Sequence, residues 1–170
     1  FKLINNQLIK DSLLDHIYEP TRVIATEKNE WIIIANGGLY KWNGAVPRQL
    51  LIQSGQEPAK EIDQAIYLNG QLIYFKQAEN ILRIMRLDNG AITSSLAGQR
   101  TEAITGNSSG NIFVKLGGQW LQLNPTALRN GQLLTEPLSF AAAIPKHFHI
   151  DQLYVTGDHI WIQDQTNGFL

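Results

Sequence analysis

The sequence predicts an all-β fold made of about four short antiparallel sheets that follow one another along the chain. Three observations lead to this prediction. A motif of about 40 residues recurs along the 170-residue chain. Each copy holds short runs rich in Ile, Val, Tyr and Trp between turns rich in Gly and Asn. The central run of a copy also carries adjacent apolar residues, so a strand formed there would be apolar on both of its faces.

The repeat is clearest at the first apolar residue of each central run. These residues are Trp31, Leu72, Ile112 and Ile160, at spacings of 41, 40 and 48 residues. A second apolar row starts seven to nine residues earlier in each copy, and a third lies eight or nine residues later. Three rows that keep nearly one register through four copies indicate a true internal repeat.

Each copy predicts a strand, a tight turn, a second strand, another turn and a third strand. Asn-Gly pairs, which favour the type I′ turn of a hairpin, begin at 36, 43, 69, 89, 130 and 167. Runs such as Ile32-Ile33 and Ile112-Phe113 need cover on both faces. Sheets stacked around a common axis provide that cover, and about 40 residues is the size of one propeller blade. We therefore expect a β-propeller-like domain with about four blades of three to four strands, or a fragment of a larger propeller.

We expect a single domain over 1–170, and we place its repeats at approximately 21–62, 63–101, 102–148 and 149–170. The fourth repeat lacks an outer strand, which the β-like leader over 1–10 could complete. Two short helical connectors are predicted, one over 11–18 and one over 125–130. Because the chain starts at Phe1 and stops within an apolar run, we expect it to be a piece of a longer protein.

Two of the copies resemble a known family. The segment EWIIIANGGLY, Glu30 to Tyr40, and the later segments Asn111–Val114 and Gly117–Trp120 are similar to the two-component regulator propeller repeat. In that repeat a small turn precedes Trp or Phe in an apolar run, and a Gly pair follows. The last copy, from His159 to Phe169, matches more loosely. The second copy has Ala78-Glu79-Asn80 where the Gly pair would stand, and it is also similar to hemopexin-like blades.

The resemblance implies a function and a compartment. Two-component regulator propeller repeats form extracytoplasmic sensor regions of membrane-anchored bacterial regulators. By this resemblance the chain would be a periplasmic or extracellular sensor module that serves a signalling or transcriptional effector. A chain without cysteine suits the cytoplasm equally well, so the sequence itself leaves the compartment open.

Composition excludes several classes of function. Fourteen basic residues against fifteen acidic ones leave a net charge of −1, without the basic stripe that neutralises nucleic-acid phosphates. The absence of cysteine excludes disulfides, cysteine zinc sites and thiol catalysis. No apolar run approaches the roughly 20 residues that span a bilayer, so we expect membrane attachment only through a segment outside this chain.

No catalytic residue, cofactor or metal site is predicted. The sequence has no Gly-x-Ser-x-Gly elbow, and no carboxylate pair stands out as general acid and base. His147 and His149 would share one face of a strand, with His159 one hairpin away, and three imidazoles can hold zinc or copper. Surface and intersheet positions are the favoured interpretation of these histidines. We therefore predict a protein that is not an enzyme.

Aromatic residues are the positive indication of binding. We expect four of them, in the central runs, to lie in the core: Trp31, Tyr74, Phe113 and Trp161. Three others lie in the third strands, nearer a sheet edge: Tyr40, Trp42 and Trp120. Exposed rings at these three positions could stack on a sugar or anchor a partner, and the alternative is packing between sheets.

The prediction for function is a non-catalytic module that binds or senses an unidentified small molecule, glycan or protein. A carbohydrate-binding, lectin-like propeller is the alternative. In either case Tyr40, Trp42 and Trp120 are the candidate ligand-binding residues.

Overall fold

The computed structural model describes residues 2–4, 7–9, 17, 19–26, 29–36, 38–52, 57–58, 62–107 and 109–170. Almost all of the secondary structure among these residues is antiparallel β-sheet. The chain divides into two compact units, Phe1–Glu61 and Ile62–Leu170. Within the described residues, no helix has the length and apolar character needed to cross a membrane.

The first unit contains a hairpin and a five-stranded sheet. In the hairpin, β1 (Lys2–Ile4) pairs with β2 (Gln7–Ile9). The sheet, called sheet 1, runs in chain order through β3 (Pro20–Ala25), β4 (Trp31–Ala35), β5 (Gly38–Trp42), β6 (Arg48–Ile52) and β7 (Glu57–Pro58). Apart from Ile17, the helix predicted over 11–18 lies outside the described residues.

The second unit contains three sheets, each of which also runs in chain order. Sheet 2 consists of β8 (Gln64–Leu68), β9 (Gln71–Lys76), β10 (Ile81–Arg86) and β11 (Ile92–Ala97). Sheet 3 consists of β12 (Thr101–Gly106), β13 (Ile112–Leu116), β14 (Gln119–Leu123) and β15 (Thr135–Glu136). Sheet 4 consists of β16 (Gln152–Thr156), β17 (His159–Asp164) and β18 (Gly168–Phe169).

Short helical segments connect the strands of the second unit. The helix α1 (Pro125–Arg129) forms where the sequence predicts a single turn, and Asn124 caps it by accepting a hydrogen bond from the backbone N–H of Ala127 at 2.8 Å. Gly131 follows the helix with φ +70, as expected for a residue that ends a helix. Two 3₁₀ turns lie at Gln77–Glu79 and Ala141–Ala143.

Sheet 3 is covered on both of its faces. On one face, Ile112 and Val114 join a buried cluster with Ile73 and Phe75 of sheet 2. The two sheets are also joined where the backbone N–H of Ile104 donates to the Gln64 side chain at 3.0 Å. The doubly apolar central run of sheet 3 thus lies in the interior, as its pattern predicts.

The other face of sheet 3 packs against sheet 4. Phe113 and Trp120 form a buried cluster with Leu153 of sheet 4, and the half-buried Val155 and Ile160 pack against that cluster. The Lys115 ammonium donates to the Asp151 carbonyl at 3.1 Å and links the same two sheets. Sheets 2, 3 and 4 are therefore stacked face to face, with apolar layers between them.

One Asn-Gly pair forms the turn that the sequence predicts. Asn69 and Gly70, between β8 and β9, both have positive φ, at 48° and 75°, as a type I′ turn requires. At the Asn-Gly pairs that begin at 43, 89, 130 and 167, only the glycine has positive φ. Gly117 and Gly118 turn β13 into β14 with φ of 55° and 84°.

Candidate functional site

Tyr40 and Trp42 lie in β5, two positions apart, and therefore share one face of sheet 1. Both are half-buried, and both pack against a cluster of Ile17, Ile33 and Ala35. The Trp42 Nε1 atom is buried without a hydrogen-bond partner in the described part of the chain. The two rings consequently help to close the apolar face of sheet 1.

Trp120 has a packing role. It lies in β14 opposite Lys115, and only 5% of its surface is exposed. Its ring belongs to the cluster of Phe113 and Leu153 between sheets 3 and 4. A ring enclosed in this way offers no face to a ligand, so the structure favours the packing alternative at this position.

The prediction that all four central-run aromatic residues lie in the core is wrong for two of them. Tyr74 and Phe113 are buried, whereas Trp31 is 42% exposed and Trp161 is 48% exposed. Successive side chains of a strand point to opposite faces, and an apolar run does not reveal which of its faces is covered. Trp161 lies on the face of sheet 4 that points away from Leu153.

Three aromatic side chains form an exposed strip on that outer face of sheet 4. Tyr154 and Trp161 are directly opposite each other in the β16–β17 ladder, and Phe169 lies opposite Gln163, two residues after Trp161. Tyr154 is 46% exposed and Phe169 is 64% exposed. The Tyr154 hydroxyl lies 3.1 Å from Gln163 Oε1 and donates a hydrogen bond to it. We call Tyr154, Trp161 and Phe169 the aromatic strip.

The strip repeats, on an open surface, the layout of a buried layer. In the repeat register Trp161 corresponds to Phe113, since Ile160 corresponds to Ile112. Phe169 then corresponds to Trp120. Trp120 lies opposite Lys115, two residues after Phe113, and Phe169 lies opposite Gln163, two residues after Trp161. In sheet 3 these positions are sealed against sheet 4, whereas in sheet 4 they are exposed.

Asp164 holds the turn that carries the end of the strip. This buried carboxylate accepts hydrogen bonds from the backbone N–H groups of Thr166 at 2.7 Å and Asn167 at 2.9 Å, and from the Asn167 side chain at 2.9 Å. The carboxylate also accepts a hydrogen bond from the backbone N–H of His149 at 2.6 Å, which links the segment before β16 to sheet 4. Hydrogen bonds from His149 and Asn167 hold the pKa of Asp164 well below its usual range.

Two other carboxyl groups have lowered pKa values, and each has a cation beside it. A hydrogen bond from Lys76 lowers the pKa of Glu79, and a hydrogen bond from Arg86 lowers the pKa of Asp88. Lowered values keep these carboxylates ionised at neutral pH, which does not suit a general acid. The Lys76–Glu79 pair lies at the 3₁₀ turn after β9, and the Arg86–Asp88 pair lies where β10 ends.

The three candidate histidines are not assembled into a metal site. Across the described ranges, no group of three or more His, Cys, Asp or Glu side chains is arranged to hold a metal ion. His149 contributes its backbone N–H to Asp164, and the His147 carbonyl accepts the Asn167 side chain at 3.2 Å. These two residues thus take part in the turn network through their backbones.

The chain matches no protein-family model and no curated protein. Among solved structures, it is similar to the C-terminal WD40 domain of Sif2, with a TM-score of 0.62 and 12% sequence identity, covering 91% of this chain and 45% of that one. The WD40 β-propeller domain of Doa1 gives a TM-score of 0.49 at 12% identity, covering 86% of this chain and 47% of that one. The N-terminal domain of Nup159 gives 0.48 at 14% identity, covering 85% and 38%.

The likeness to the Sif2 domain is a likeness of fold. It confirms the predicted all-β architecture of propeller type, with blade-like antiparallel sheets. The chain spans less than half the length of each of these three solved chains. Those proteins therefore supply no residue roles for this one.

Proposed function

We propose that the chain is a non-catalytic protein-binding module of the β-propeller type, and that the aromatic strip receives the partner. The observation that carries this proposal is the exposure of Trp161 and Phe169 at positions that are sealed by a neighbouring sheet at Phe113 and Trp120. Association with another protein surface that covers this exposed apolar face is favourable, because it removes apolar area from water.

The composition of the strip suits recognition of a protein. Trp and Tyr are over-represented among the residues that dominate binding energy at interfaces, because they bury a large area with few rotatable bonds. On the same face of β16 and β17, the residues around the strip include no Asp, Glu, Lys or Arg: Gln152, Thr156, His159 and Gln163. A partner can therefore cover the strip without desolvating a carboxylate, a lysine or an arginine on these two strands.

Site-specific photo-cross-linking tests this proposal in the cells that produce the protein. A benzophenone amino acid replaces Trp161 in one variant and Phe169 in another. The matched control carries it at Leu134, which is 57% exposed in the same unit but lies outside the strip. We expect adducts with one discrete protein from positions 161 and 169, and none with that protein from position 134.

A second measurement links the adduct to the strip. The cross-linked protein, once identified and purified, should bind the unmodified chain and lose at least tenfold in affinity for the double variant Trp161→Ala, Phe169→Ala, since interface aromatic residues each contribute about 2 kcal/mol or more. Circular dichroism checks that the variant is folded. Adducts that match the Leu134 control, or adducts solely with further copies of the chain, would refute a heterologous protein partner.

A finer form of the proposal comes from the resemblance to two-component regulator propeller repeats in Glu30–Tyr40 and Gly117–Trp120. In this form the module is the extracytoplasmic part of a membrane-anchored bacterial regulator, and partner binding is transmitted to an effector. Alkaline phosphatase fused within the full gene product, directly after residue 170, tests the compartment. Phosphatase activity in intact cells is expected, and an inactive fusion of normal abundance would contradict this location.

A further inference from the structure

We infer that the opposite face of sheet 4 holds a second binding site, an apolar pocket that takes a small aromatic amine. This inference goes beyond the proposed function, because the pocket and the aromatic strip lie on different faces of the sheet. The pocket has a volume of about 240 Å³. Its apolar walls include Phe140, Ile144, Ile160, Ile162 and Leu170.

Regular structure builds the walls of the pocket. Ile160 and Ile162 alternate with Trp161 along β17 and therefore point to the side opposite the strip. Leu170 is fixed beside Ile162 by two backbone hydrogen bonds, one in each direction, at 2.9 and 3.0 Å. Across from β17 and Leu170, the 3₁₀ turn Ala141–Ala143 places Phe140 and Ile144 in the lining of the pocket.

The Phe140 wall is itself anchored. The Phe140 ring meets the buried Phe113 ring edge to face, with 5.6 Å between centroids. The Ile144 backbone N–H donates to the Ala141 carbonyl at 3.2 Å and closes the turn. A pocket with walls held in this way is available before a ligand arrives, which reduces the ordering cost of binding.

Among the residues that line the pocket, Asp158 is the one with a charged side chain. It lies in the turn between β16 and β17 and is exposed. Within the described residues, Asp158 forms no ion pair and no side-chain hydrogen bond, so its carboxylate is available to a ligand. An apolar pocket beside one free carboxylate is complementary to an apolar group that carries a cation.

Volume narrows the class of ligand. A cavity of about 150 Å³ lined by aliphatic and aromatic residues is enough to bind benzene. Drug-sized ligands occupy pockets of about 300 Å³ or more. A pocket of about 240 Å³ therefore fits one aromatic ring with a short alkyl chain, and the chain can place a terminal ammonium beside Asp158. A phenylalkyl primary amine has this form.

Titration with 2-phenylethylamine, followed by amide chemical shifts, tests the site. The matched ligands are 2-phenylethanol, which keeps the ring without the charge, and phenylacetate, which reverses the charge. We expect saturable shifts at Ile144, Asp158 and Ile160, with the amine binding about 1.5- to fivefold more tightly than the alcohol, the range for an exposed ion pair. Phenylacetate should bind more weakly than the alcohol.

Two variants separate the charge from the cavity. Asp158→Asn should make the amine bind like the alcohol. Asp88 is exposed in the turn after β10 and does not line the pocket, so Asp88→Asn should leave the preference intact. Ala143 lines the pocket and is exposed, so the larger side chain of Ala143→Trp should fill the pocket and abolish binding of both ligands without disturbing the core. Equal affinity for amine and alcohol, or shifts that spread over the protein without saturation, would overturn the inference. Neither outcome bears on cross-linking at Trp161.

Discussion

Phe113 and Trp161 occupy the same register position in sheets 3 and 4, yet their substitution by alanine should have unequal effects on stability. Phe113 is 1% exposed and packs against Trp120, Leu153 and Phe140, whereas Trp161 is 48% exposed. The comparison tests the central observation about the aromatic strip, because it holds the position in the repeat constant and changes the burial.

The two magnitudes follow from the burial. Phe→Ala in a packed core costs about 3–5 kcal/mol, since the lost contacts are compounded by the cavity left behind. Full burial of a Trp removes about 200 Å² from water. With roughly half of that area buried at Trp161, about 100 Å² at 25 cal/mol per Å² gives an upper bound near 2.5 kcal/mol. Because alanine retains part of this area, we expect about 1–2 kcal/mol for Trp161→Ala.

Urea unfolding of both variants, followed by circular dichroism, measures the two free energies of unfolding. Circular dichroism is preferred to fluorescence because one of the substitutions removes a tryptophan. We expect Phe113→Ala to be the more destabilising by about 1–4 kcal/mol, the difference between the two magnitudes. Equal losses would mean that Trp161 is covered in solution as fully as Phe113, and the strip would then not be an open surface.

Three further predictions concern the second unit. Asp164→Asn should lower the free energy of unfolding at pH 7. Because the folded pKa of Asp164 lies below its unfolded value near 3.8, the stabilisation by the Asp164 carboxylate is complete above that pH and fades as the pH falls below it. The denaturation midpoints of the variant and the unmodified protein, measured from pH 7 down to pH 2, should therefore converge in acid. Gly131→Ala should lower the free energy of unfolding, measured in thermal or urea unfolding, by more than Gly157→Ala does. Both glycines have positive φ, which strains alanine by about 1–2 kcal/mol, but a Cβ at Gly131 would also meet Thr93 Oγ1 at 3.2 Å. Equal losses for the two variants would refute an effect of this contact. Asn124→Ala should cost about 1–2 kcal/mol through loss of the α1 cap, and an unchanged urea midpoint would show that the cap is dispensable.

Much of the fold follows from local sequence patterns. The recurrence at Trp31, Leu72, Ile112 and Ile160 predicts four sheets, and a strand forms at each of these positions. The helical turn after Asn124 and the tight turn at Asn69-Gly70 also form as predicted. These features are predictable because strand period, capping and positive φ depend on residues close together in the chain.

The candidate binding surface was not predictable in the same way. Trp161 was expected in the core from its place in a central run, but 48% of its surface is exposed. For Trp120 the sequence left ligand binding and packing between sheets both open, and its burial favours packing. The alternation of side chains along a strand places neighbouring residues on opposite faces of the sheet. It does not predict which face another sheet covers, because that sheet comes from a distant part of the chain.

The sequence by itself determined the repeat, the positions of the first three strands of each of the four sheets and the need for stacked apolar layers. Only the tertiary structure decided that Tyr154, Trp161 and Phe169 form an open strip and that Asp158 stands beside an apolar pocket. The physical reason is that apolar character is a property of each residue, whereas burial is a property of the surfaces that meet, and these surfaces are brought together from separate segments on folding.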